Sequence, residues 1–134
     1  IKKNGYDIVI ASRFQPGSNV TGLNLFRKSL SDSAKLIYKL IFSIKNVQDY
    51  TCNYRGYSFE ILKRSGLIKR NFFIGKDFSV VPDILINLNS KFFDLKIKEV
   101  PLKLRYDFKI GESKLNVPKN IIKTLLLIIR NIRN

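Results

Sequence analysis

The chain has 134 residues, and its 25 Lys+Arg against 10 Asp+Glu give a formal net charge of +15. The length bounds it to one domain or one large piece of one, and a content of 45% hydrophobic and 12% aromatic residues excludes a disordered basic tail, which is poor in both. The absence of His and the single Cys52 exclude Ser-His triads, His general bases, internal disulfides and Cys-cluster metal sites.

The longest apolar run, Leu125 to Ile129, is five residues, far short of the roughly 20 needed to cross a bilayer. No signal-peptide pattern is expected at Ile1, and one lone Cys suits a reducing compartment. The charge points to a polyanion or an anionic membrane, although the abundance of Lys, Asn and Ile also fits a compositional bias.

In chain order, Tyr6 to Ala11 reads as a short β-branched strand after Gly5; with no earlier partner it is expected in the middle of a sheet. Gln15 to Asn19 is a turn-rich loop. A long helix is expected from about Gly22 to Ile44, with Phe26, Leu30, Ala34, Ile37, Ile41 and Ile44 as its apolar stripe. Arg27, Ser31 and Lys35 lie four apart on another face. Tyr54 to Leu62 reads as a strand running into a helix that closes near Ser65-Gly66. A further helix within Asp77 to Lys91 is expected to begin near Val81, with Pro82 in its first turn. Leu95 to Leu104 alternates as an edge strand that tolerates Pro101, and Arg105 to Lys114 is a charged loop.

Pro118 opens a last helix to about Ile132. Ile121, Ile122, Leu125, Leu126, Ile128, Ile129 and Ile132 fill one arc, with Lys119, Lys123, Arg130 and Asn131 opposite. That pattern suits a core-packing helix with a basic back as well as an interfacial helix on an anionic membrane. The expected boundaries are 1–116 for the α/β body and 117–134 for this helix.

Arg105 enters a loop that holds Lys109, Gly111, Ser113 and Lys114. The fork of Arg, the point charge of Lys, a hydroxyl and a glycine suit a phosphate, and a solvated basic loop has the same composition. Among the scattered carboxylates, Asp49 reads as a turn or cap residue and Asp83 as a first-turn helix carboxylate; both remain site candidates. Tyr50, Tyr54 and Tyr57 around Arg55 form either a base-stacking platform or ordinary packing. Cys52 reads as a small buried hydrophobe.

Four segments share their wording with one family. Gly5 to Arg13 (GYDIVIASR), Phe26 to Ser31 (FRKSLS), Gln48 to Tyr57 (QDYTCNYRGY) and Glu99 to Lys114 (EVPLKLRYDFKIGESK) together resemble, in order and spacing, the C-terminal half of the catalytic domain of family-2 glycosyltransferases related to dolichol-phosphate mannosyltransferase. The resemblance implies an α/β fold of the GT-A type, Rossmann-like, with an incomplete sheet and flanking helices. It further implies transfer of a sugar, with inversion, from a nucleotide sugar to a polyprenyl or dolichyl phosphate at the cytoplasmic face of a membrane.

On that reading Arg13, Arg27 and Ser31 take the acceptor phosphate, and Arg105, Lys109, Ser113 and Lys114 grip the donor diphosphate. Asp49, Arg55 and Asp83 are further candidates. A phosphate acceptor is already ionised, so no general base is required. A divalent cation, Mg or Mn, is expected for the complete enzyme. No Asp-x-Asp occurs here, so its ligands and the nucleotide-binding first half are expected upstream of Ile1, and the isolated chain is expected to be inactive. Asn53 and Gly56 depart from the Gly and Ala usual in the family. The alternatives are a family-2 enzyme with a non-lipid acceptor, or a basic nucleic-acid-binding module; the latter is disfavoured because no such motif accompanies the charge.

Overall fold

A computed structural model describes residues 5–67 and 80–108 and, further on, residues 122, 123, 125, 126, 128 and 129. These form a mixed α/β structure with two small sheets and three helices. The first strand, β1 (Ile8–Ser12), turns Ile8, Ile10 and Ser12 inward and leaves Val9 and Ala11 half-buried, the two-residue period of a pleated strand. It occupies the middle of a three-stranded sheet, as expected from the sequence, antiparallel to β3 (Arg55–Tyr57) and parallel to β4 (Ile97–Pro101). The second ladder pairs β2 (Asn19–Thr21) in parallel with β5 (Lys103–Arg105); β2 has no counterpart in the sequence reading.

The two ladders are joined at Leu102. Its N–H donates to the Ser12 carbonyl at 3.0 Å, and its own carbonyl accepts from the Asn19 N–H at 2.9 Å. The extended segment 97–105 thus changes partner from β1 to β2. The loop between those strands folds out through a turn from Gln15 to Ser18, and the Ser18 hydroxyl donates to the Ser12 carbonyl at 2.7 Å.

Helix α1 (Leu25–Phe42) starts three residues later than the periodicity predicts, because Gly22 is left-handed (φ 79°) and Asn24 is the cap, accepting from the Arg27 N–H at 2.9 Å. It ends at Ser43, also left-handed. The face it buries differs from the expected stripe. Phe26 is 63% exposed and Ile37 and Ile41 are 39% exposed, whereas Tyr38 is fully buried. Apolar residues occur nearly all round this helix. Tyr38 decides the orientation by stacking on Tyr50 (centroids 5.4 Å apart, planes 9° apart) and meeting Phe42, which buries more apolar area than an Ile or Ala would.

Helix α2 (Phe59–Ser65) is capped by the Ser58 hydroxyl and closed by left-handed Gly66. Helix α3 (Val80–Lys91) carries Pro82 in its first turn, where no main-chain N–H is needed. Ile8, Ile10, Tyr38, Tyr50, Ile61, Leu85, Leu88 and Ile97 belong to one buried cluster that Ile128 joins. Ile122, Leu125, Leu126 and Ile129 around it are exposed.

Candidate functional site

Three arginines follow the carboxyl ends of the parallel strands in the chain, the edge at which open α/β sheets take ligands. Arg13 follows β1, Arg105 ends β5, and Arg27 lies in the first turn of α1 just beyond β2.

Arg13 is committed to a carboxylate. Its Nε and Nη2 reach Asp49 Oδ2 and Oδ1 at 2.8 and 2.6 Å, its main-chain N–H reaches Oδ2 at 3.1 Å, and Nη2 also donates to Thr51 Oγ1. Asp49 is fully buried and also accepts from the N–H groups of Thr51 and Cys52. Burial pushes its pKa up, but the hydrogen bonds and charge of Arg13 and the main-chain donors outweigh this and hold it below 3.8. For Arg13, burial opposes the charge, and Asp49, with smaller help from Cys52 and Tyr106, overcomes it. The guanidinium keeps Nη1 without a hydrogen bond to a described residue.

Two further groups hold this loop. Glu99, buried on β4, accepts from the N–H groups of Gln48 and Asp49 at 2.7 Å each and from Gln15 Nε2 at 2.9 Å. Arg55 donates to the carbonyls of Cys52, Asp49, Tyr50 and, across to α3, Val81. Arg55 and Asp49 therefore build the scaffold beneath the rim rather than the rim itself. Sequence reasoning gives Glu99 no role, and the signal for it is a carboxylate in the middle of a strand. Cys52 is buried, and burial raises its thiol pKa, as a small hydrophobe requires.

The α1 face carrying Arg27, Ser31 and Lys35 is half-buried and meets the chain just past β1. Lys35 Nζ lies 4.3 Å and Arg13 Cζ 5.6 Å from the Phe14 ring centroid. The Arg27 side chain has no hydrogen bond or ion pair among the described residues, and Ser31 Oγ is buried without a hydrogen-bond partner. The first turn of α1 contains no acid, yet it holds Arg27 and Lys28. Cations there oppose the helix dipole, so the turn concentrates positive potential.

Arg105 is pinned beside the end of β2, the strand that leads to that turn. It pairs with Thr21 in the ladder, the Tyr106 N–H donates to the Thr21 carbonyl at 2.8 Å, and a Cβ on Gly22 would lie 2.6 Å from the Asp107 nitrogen. Its guanidinium closes on Asp107, 2.5 Å from Nη2 to Oδ2, and stacks 4.1 Å from the Phe108 centroid. That contact holds the exposed Asp107 carboxyl below the usual carboxylate range.

Lys109, Ser113 and Lys114 lie outside the described residues. Asp83 stands in the first turn of α3, where Asn87 Nδ2 donates to its carbonyl and carboxylate. Of the three tyrosines, Tyr50 is taken into the core and Tyr54 is 58% exposed, so no continuous stacking platform forms. A cavity of about 630 Å³ lies beside β4, between Tyr6, Lys39, Lys45 and Lys98, and none of the sequence-derived candidates lines it.

Among the described residues no group of three acidic, Cys or His side chains is placed to hold a metal, and no helix is long and apolar enough to cross a membrane. No family model, curated protein or solved structure matches the chain.

Proposed function

We propose that the chain is the C-terminal part of a GT-A-type glycosyltransferase domain that transfers a sugar from a nucleotide sugar to a polyprenyl phosphate, peripheral to the cytoplasmic face of a membrane. One observation carries the reading. Arg27 and Lys28 stand against the helix dipole in the turn that follows β2, whose last residue Thr21 pairs with Arg105, and one turn further on the Ser31 hydroxyl is buried with no hydrogen-bond partner among the described residues. Natural folds break a local electrostatic rule chiefly where a ligand compensates, and the compensating ligand here is an anion.

In this reading Arg27 and Ser31 hold the acceptor phosphate. Arg105 turns from Asp107 to the donor diphosphate, where a fixed cation stabilises the charge that develops on the leaving group. Arg13 keeps the loop after β1 in place through Asp49 and offers Nη1 to the acceptor. The acceptor oxygen is already anionic, so the chain has no proton to remove. Among the described residues no group of carboxylates is placed to hold a divalent cation, and both Asp49 oxygens are taken by donors.

The test is binding of a short-chain polyprenyl phosphate against the corresponding alcohol, with Arg27→Gln and Arg105→Gln variants, followed by sugar transfer by the chain extended upstream. Preference for the phosphate, lowered about tenfold or more by Arg27→Gln, supports the reading. Equal binding of phosphate and alcohol, or an unaffected Arg27→Gln variant, overturns it.

A further inference from the structure

The outward face of α1 is apolar in its first turn and again over its last two turns. Leu25 is 82% exposed, Leu40 73%, Phe26 63% and Leu36 60%, with Ile37 and Ile41 also in solvent. At 100° per residue these six fall within an arc of about 160°, which also holds Ser29, Ser33 and the half-buried Leu30, and they run about 24 Å from Leu25 to Ile41. Scattered exposed leucines need no explanation, but six large apolar side chains exposed on one side of a single helix mark a docking surface.

We propose that this face docks on an anionic lipid bilayer, with α1 lying in the plane of the headgroups. The borders of the strip name the occupant. Arg27 flanks one side; on the other the exposed Asp32 lies next to the strip with Lys39 and Lys28 just beyond it, and the helix carries four cations against this one acid. An apolar face bordered by Lys and Arg and rich in Leu and Phe is the pattern of an interfacial helix. A second copy of the chain fits poorly, because it brings another +15 against the same cationic borders.

The sequence leaves the C-terminal segment open between core packing and interfacial character; the exposed residues of α1 supply a separate surface of the interfacial kind. The inference does not depend on sugar transfer, but it sets Arg27 at the level of lipid phosphates.

The experiment is flotation of the full chain with vesicles of phosphatidylcholine alone and of phosphatidylcholine with phosphatidylglycerol, with no nucleotide sugar present. The wild-type chain floats with the mixed vesicles, and added salt weakens the binding. Leu36→Ser with Leu40→Ser lowers the partition coefficient about tenfold or more and leaves the melting temperature unchanged, since both side chains are already in solvent. Absence of flotation, or flotation indifferent to the double substitution, overturns the proposal. So does a wild-type dimer by size-exclusion chromatography that the double substitution dissociates. Vesicle binding without phosphate preference, or the reverse, separates failure here from failure of the transferase reading.

Discussion

The Arg13 guanidinium closes on both carboxylate oxygens of Asp49, a residue 36 positions away with no exposed surface. This pair joins the end of the central strand to the loop that Arg55 and Glu99 also hold, and the partners differ in exposure: 22% for the Arg13 side chain and 0% for Asp49. Removing one member therefore leaves the other charge buried. Asp49→Asn is expected to destabilise the fold by about 3 kcal/mol, within the range for breaking a buried pair, in urea unfolding followed by circular dichroism.

The same carboxylate sets an acid limb. Its pKa is lowered on folding from 3.8, so the unfolded chain binds the proton first as the pH falls. The stabilisation is complete above the unfolded value and is lost as the pH drops through the lower folded value. Stability is therefore expected to be level in this contribution at neutral pH and to fall below about pH 4. Asp49→Asn flattens that limb in unfolding curves taken across the acid range. A variant that keeps the wild-type acid slope shows that other carboxylates cause it.

Arg55 makes a different prediction, because its partners are carbonyls. Its Nε, Nη1 and Nη2 reach four of them, with Tyr50 at 2.6 Å and Val81 at 3.0 Å. A lysine keeps the charge and loses the planar fork. Arg55→Lys is expected to cost about 2 kcal/mol, and Arg55→Ala more. Hydrogen exchange should show the loop 48–52 and the start of α3 opening together. If lysine restores full stability, charge rather than geometry matters at this position.

How much of this was legible depends on whether the physics is local. The β3–α2 unit was readable because Ser58 and Gly66 cap it within its own sequence, and Pro82 marked the start of α3 for the same reason. The buried face of α1 was not readable. Leu25, Leu36 and Leu40 are as apolar as Leu30, Ala34 and Tyr38, and periodicity gives a direction only when one face is polar. The choice depends on Tyr50, twelve residues from Tyr38 and beyond the helix end. Leu102 likewise changes strand partner through Ser12 and Asn19, which no neighbouring residue announces. Within the site, the spacing of Arg27 and Ser31 was visible, but the Arg13–Asp49 pair was hidden by its separation in sequence.

Gly22 tests whether the rim is one unit. Gly22→Ala meets both a left-handed φ of 79° and the Asp107 main chain at 2.6 Å, whereas Gly5→Ala meets only a φ of 65° with open space around it. A left-handed conformation costs an L-residue about 1–2 kcal/mol. Gly5→Ala is expected to lose about that much and Gly22→Ala about 1 kcal/mol more, with the β2–β5 ladder pushed apart. Phosphate binding should fall in Gly22→Ala and hold in Gly5→Ala. Equal losses in both variants show that the approach of Asp107 is not tight.

Arg27 is expected to separate stability from binding. A cation in the first turn of a helix opposes the dipole by about 0.3–1 kcal/mol, and the Arg27 side chain has no ion pair among the described residues to offset that. Arg27→Gln keeps most of the length of the stem and removes the charge. Its unfolding free energy should match or exceed the wild-type value by up to about 0.5 kcal/mol, while its affinity for inorganic phosphate or a polyprenyl phosphate falls. A scaffold residue behaves in the opposite way, as Asp49 and Arg55 are expected to, losing stability first and binding only as a consequence. Calorimetric titration beside chemical unfolding of the same variant decides between them, and a destabilised Arg27→Gln with undiminished phosphate affinity assigns Arg27 to the scaffold.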